Sequence, residues 1–129
     1  MRLVRVVVWL AFVGIVPAML WVPAASAADK AASGKYDAFA QCLTKKKVAM
    51  YGAFWCPHCN DQKKEFGTSF NYVQYVECAV PAQPPNVQTP ACQEKHIRKY
   101  PTWVFGDGER IEAVQSLEQL SQKTGCKLP

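Results

Sequence analysis

Cys56 and Cys59 stand one helical turn apart, where the unbroken apolar run Val48-Ala49-Met50-Tyr51-Gly52-Ala53-Phe54 gives way to the polar stretch Asn60 to Glu65. That junction restricts the fold more than any other feature of the chain. An apolar run without alternation reads as a strand covered on both faces, which requires an interior place in a sheet with helices packed on it. The polar stretch after it reads as a helix. Pro57 suits the first helical position, because its φ is already helical and its missing N–H would have had no intrahelical partner. Cys56 therefore falls at the helix N-terminus, where unpaired N–H groups and the positive end of the macrodipole favour a thiolate. Cys59 is close enough to close a disulfide with it, so the pair can pass between dithiol and disulfide without rebuilding the fold.

The flanking sequence supplies the remaining elements. Tyr36, Phe39, Ala40 and Leu43 follow helical spacing, and the helix opened by Pro57 is expected to end near Phe66 with Gly67 as a left-handed cap. Tyr72 to Glu77 reads as a strand. Ala79 to Pro90 is too rich in proline for regular structure, and Thr89-Pro90 opens a short helix expected to reach about Lys99. Trp103 to Phe105 and Glu109 to Glu112 flank Gly106-Asp107-Gly108 as a hairpin. Ser116 and Gln119 form a capping box for a last helix that places Leu117 and Leu120 on the core and stops at Gly125. A β-α-β unit followed by a helix and a hairpin gives an α/β fold, a central mixed sheet of about four strands with helices on both faces.

At the N-terminus, Arg2 and Arg5 precede an uncharged stretch from Val6 to Val22, and Ala25-Ser26-Ala27 is a small-x-small cleavage site. Residues 1–27 read as a secretory signal peptide, 28–35 as a flexible leader and 36–129 as one domain. The alternative is an uncleaved membrane anchor, since the apolar stretch approaches spanning length. Either way the domain is expected outside the cytoplasm, in the periplasm or an equivalent compartment. The chain carries 15 basic and 10 acidic side chains, too mild an excess to argue for nucleic acid, and Lys45-Lys46-Lys47 reads as a solvated helix end. All six cysteines, at 42, 56, 59, 78, 92 and 126, lie beyond the signal. An even number in a small exported domain implies disulfides, and with Cys56 and Cys59 reserved for exchange the other four allow three connectivities. A four-cysteine zinc site is the competing reading. It fits less well, because Cys78 and Cys92 are not a second closely spaced pair, so no metal and no cofactor are expected.

Trp55-Cys56-Pro57-His58-Cys59, with Tyr100-Pro101-Thr102 ahead of a second apolar strand, resembles the thioredoxin superfamily. Tyr51 to Cys59, Tyr75-Val76-Glu77-Cys78 and Tyr100-Pro101-Thr102-Trp103 most resemble the thioredoxin-like domain fused to, or partnered with, bacterial homologues of vitamin K epoxide reductase. The resemblance implies a thioredoxin-like fold, a cis proline at Pro101 facing the cysteine pair, and Cys56 as nucleophile with Cys59 as resolving thiol. His58 is expected to stabilise the Cys56 thiolate further. Trp55 and Tyr100, with Pro101, are expected to meet the substrate, whereas Phe54 is expected in the core. The thioredoxin topology brings the ends of the first and last helices together, which pairs Cys42 with Cys126. Cys78 and Cys92 bracket the proline-rich segment and are expected to pair across it.

The function expected from these residues is an exported thiol-disulfide oxidoreductase. The Pro-His dipeptide is that of the periplasmic oxidant DsbA, and no carboxylate lies close by in sequence before Asp61, so the expected direction is oxidation of substrate thiols. Cysteine-containing exported proteins would be the substrates of a monomer. A membrane protein resembling vitamin K epoxide reductase or DsbB, carried on a separate chain, would be the partner that reoxidises it. A periplasmic reductase or isomerase, or a non-catalytic thioredoxin-like module for metal or adaptor binding, are the alternatives.

Overall fold

The computed structural model describes residues 34–129. The expected signal peptide and all but the end of the expected leader lie outside the described residues. Four helices and four strands follow in the order α1 (Asp37–Lys45), β1 (Ala49–Gly52), α2 (Pro57–Phe66), β2 (Gln74–Glu77), α3 (Pro90–Glu94), β3 (Thr102–Val104), β4 (Arg110–Ile111) and α4 (Leu117–Thr124), with a 3-10 turn, Gly67–Tyr72, between α2 and β2. The sheet order is β2-β1-β3-β4. β1 runs parallel to β2 and antiparallel to β3, and β3 pairs antiparallel with β4. The apolar run thus forms an interior strand, and the mixed sheet is that of a thioredoxin-like fold.

Strand alternation sorts the core into two. Val48, Met50 and Trp103 point into the larger cluster with Phe39 and Leu43 of α1, Phe66 of α2 and Leu117 and Leu120 of α4. Ala49 and Tyr51 point the other way, onto Cys78, Cys92 and Ile97 in a smaller cluster under α3. Helices therefore cover both faces, three on one and a short one on the other. α4 begins with the full capping box between Ser116 and Gln119 and ends at Gly125 in the left-handed conformation (φ +70°).

Several element boundaries differ from the sequence reading. α3 stops at Glu94 rather than near Lys99. His96 takes φ +52° and the Ile97 amide bonds back to the Cys92 carbonyl at 3.0 Å, which turns the chain so that Ile97 can be buried. Tyr72 belongs to the 3-10 turn, and β2 begins only at Gln74. Gly67 has φ +57° and ψ −136°, so it does not cap α2 in the left-handed form but passes the chain directly into that turn.

Two disulfides tie the fold at distant points. Cys42 of α1 is bonded to Cys126 beyond α4, with Cα atoms 5.8 Å apart. Cys78 after β2 is bonded to Cys92 of α3 at 5.5 Å. The irregular segment that the second one closes also carries an isolated bridge between Ala79 and Gln88.

Candidate active site

The topology brings three segments to one edge of the sheet. β1 and β2 are parallel, so both end there, with Gly52 opposite Glu77. β3 is antiparallel to β1, so its beginning lies there as well, with Thr102 opposite Tyr51. The turn into α2, the end of β2 and the Tyr100-Pro101 approach to β3 consequently surround one another. The Tyr100-Pro101 peptide bond is cis.

Cys56 is the N-cap residue of α2, with Pro57 in the first turn. Its Sγ accepts the Cys59 backbone N–H at 3.3 Å, which satisfies one of the otherwise unpartnered amides of the first turn with a sulfur. Both cysteines carry free thiols and both are buried, Cys56 at 4 % exposure and Cys59 at 0 %. Burial, reinforced by its side-chain hydrogen bond with Cys56, pushes the Cys59 thiol from 9.0 up to about 12. Pro57 and His58 lie exposed on the first turn between the two sulfurs.

Around the pair, Trp55 is 44 % exposed and Phe54 55 %. Phe54 is thus a surface residue rather than the core residue expected, because β1 ends at Gly52 and the turn that follows does not continue the strand's alternation. The Trp55 ring meets the half-exposed Tyr100 ring edge to face at 5.9 Å, and Pro101 is buried. The Tyr100 hydroxyl lies against the Gln88 side-chain amide. Burial raises its pKa, and the hydrogen bond from Gln88 opposes that shift.

Three residues of the site escape a reading along the chain. Glu77 is the first. Its Oε1 accepts the Phe54 amide at 3.1 Å and the Ala79 amide at 2.9 Å, and its Oε2 accepts the Tyr75 hydroxyl at 2.8 Å. A carboxylate therefore lies beside the cysteine turn, contrary to the expectation of none, because parallel pairing carries the end of β2 to the end of β1. Tyr75 is the second, with its pKa raised by burial and then by its bond to Glu77. Gln62 is the third. It sits in the polar stretch yet is fully buried, accepting from the Trp103 indole N–H at 3.1 Å and the Gln115 amide at 2.8 Å and donating to the Gln115 carbonyl at 2.8 Å. Its signal in the sequence is position, since Cys59, Gln62 and Phe66 share one helical face.

Fold and site together define the class: a thioredoxin-like α/β domain with a cysteine pair at the start of its second helix. No protein family model matches the chain. Among characterised proteins it is similar to the thiol-disulfide oxidoreductase LTO1 of Arabidopsis thaliana, 34 % identical over 93 residues, a match covering 70 % of this chain and 24 % of that protein. The chain thus spans about a quarter of the length of this relative. The likeness supports a general thiol-disulfide redox role.

Proposed function

We propose that this protein is an exported thiol-disulfide oxidoreductase that oxidises the thiols of other exported proteins through Cys56 and Cys59. The observation that carries the reading is the asymmetry of the pair: Cys56 Sγ caps the helix N-terminus and accepts an N–H, while Cys59 is fully buried with its thiol pushed up to about 12. A substrate thiolate attacks Cys56 Sγ of the oxidised pair, and the Cys56–Cys59 bond breaks with its electron pair left on Cys59 Sγ, which takes up a proton. A second substrate thiolate then attacks the substrate sulfur of the mixed disulfide, which closes the substrate disulfide and expels Cys56 as the thiolate. The two electrons now on the pair pass to a partner. By resemblance, that partner is a quinone-linked membrane protein of the vitamin K epoxide reductase or DsbB kind.

Trp55 and Tyr100 supply an exposed aromatic surface beside the sulfur for an extended substrate. Pro101 is buried, so its part in such binding falls to the backbone around it. His58 is assigned to stabilising the reduced form, which makes the pair more oxidising. Export to the periplasm or its equivalent and a monomeric state complete the reading.

Equilibration against a glutathione series tests the direction. The expected potential lies above about −220 mV, and His58→Ala should lower it. A value near that of thioredoxin, about −270 mV, would make the protein a reductase or isomerase instead.

A further inference from the structure

Resolution through Cys59 needs a proton to leave or reach a sulfur that is sealed from solvent, and two unassigned side chains lie where that transfer must occur. A Cβ placed on Gly52 would stand 2.9 Å from Cys59 Sγ, 3.0 Å from Tyr75 Cε2 and 3.3 Å from Tyr75 Oη. The buried sulfur and the tyrosine hydroxyl therefore close on the same bare Cα, and glycine is the residue that lets them do so. From there the Tyr75 hydroxyl donates to Glu77 Oε2 at 2.8 Å, and Glu77, at the end of β2, is partly exposed to solvent. Glu77 is held in place independently, because its other oxygen accepts the Phe54 and Ala79 amides.

We infer that Tyr75 and Glu77 form a proton relay for Cys59, with Glu77 as the terminal acceptor and Tyr75 as the group that connects it to the sulfur. The inference rests on the redox reading of the cysteine pair. Cys59 Sγ and Tyr75 Oη are not hydrogen-bonded in this structure, so the transfer requires them to meet in the space Gly52 leaves. As Cys59 becomes a nucleophile, its proton then passes to Tyr75 Oη while the Tyr75 proton passes to Glu77 Oε2. A thiol and a carboxylate thus become a thiolate and a carboxylic acid, and Tyr75 stays neutral. When Cys59 leaves as a thiolate the same two transfers run in reverse. Burial disfavours ionisation of both Cys59 and Tyr75, which suits a route that moves protons without leaving charge on either. The other ionisable groups facing the relay are Cys56 at the N-cap of α2, Lys63 on α2 with its Nζ 3.9 Å from the centre of the Tyr75 ring, and Tyr100 ahead of β3.

The test reads the two thiols separately. The protein, reduced at the active pair alone, is mixed with 5,5′-dithiobis(2-nitrobenzoate) and thionitrobenzoate release is followed by stopped flow. The first equivalent reports attack by Cys56, and the second reports displacement by Cys59 at the Cys56 sulfur. Tyr75→Phe keeps the ring and removes the hydroxyl, while Glu77→Gln keeps an oxygen for the two amides and removes the base. In both variants the second phase should slow at least tenfold at neutral pH and should climb steeply with hydroxide where the wild type is flatter. Wild-type rate and pH profile in the second phase of both variants would overturn the relay, as would an equal slowing of both phases, which marks a structural effect. The reagent reacts whichever way the pair works in the cell, so the potential measured against glutathione can fail without touching this result. A wild type with no second phase would remove the redox reading itself.

Discussion

Cys56 and Cys59 are the same side chain one helical turn apart, and their surroundings assign them different work. Cys56 caps the helix from the end of a turn, and Cys59 is sealed beneath it. In the proposed reaction attack comes from the first and release from the second, so Cys59→Ala should accumulate mixed disulfides with substrates and with the proposed membrane partner on non-reducing gels, while Cys56→Ala should not. Equal trapping by both would reverse or abolish the roles. Cys59 also ties stability to pH. Its thiol is raised from 9.0 to about 12 by burial and by its bond with Cys56, so the unfolded chain ionises first as pH rises. The stability this thiol contributes is complete below about pH 9 and is lost progressively towards about pH 12. Urea denaturation of the reduced protein should therefore show wild type losing ground to Cys59→Ala as pH rises above about 9. Parallel curves would mean that the sulfur is not shielded.

At the scale of elements, local chemistry set where most helices begin. Pro57 after Cys56, Thr89 before Pro90 and the Ser116/Gln119 capping box all act within one turn, so they can be read from neighbours in the chain. Element ends were harder, since α3 stops where burying Ile97 outweighs continuing the helix. Gln62 shows the same limit on the helix face. A polar side chain in a polar stretch reads as solvated, yet it is the buried link that joins α2 to β3 and to the approach of α4. Gln62→Leu would orphan the Trp103 indole N–H and the Gln115 amide at about 1–3 kcal/mol each. Chemical denaturation should therefore record a loss of at least about 2 kcal/mol, and a neutral result would show that both donors find other partners.

Over the whole molecule, the two disulfides close loops of very different length, with sequence separations of 84 for Cys42–Cys126 and 14 for Cys78–Cys92. The chain-entropy relation assigns about 4.5 kcal/mol to the longer loop and about 3 kcal/mol to the shorter. Replacing both cysteines of a pair by alanine should therefore cost more at 42 and 126 than at 78 and 92, as read by thermal or urea unfolding of the oxidised protein. The opposite order would show that packing in the smaller core, where Cys78 and Cys92 are fully buried, outweighs loop closure.

The sequence by itself determined that an interior strand runs into a turn with a cysteine at the helix start, and that an α/β sheet must surround that strand. Apolar periodicity, proline and capping chemistry are short-range properties, and they suffice for those features. Only the tertiary structure decided what stands around the sulfurs. Strand direction carries Glu77 and Tyr75 of β2 and Tyr100 ahead of β3 to the edge where β1 ends, and Gly52 leaves the space in which Tyr75 and Cys59 approach. Phe54 reads as the last residue of a buried run, but it leaves the strand and meets solvent. Pairing partners and turn direction depend on which distant segments bury surface together, and no window of neighbouring residues contains that information.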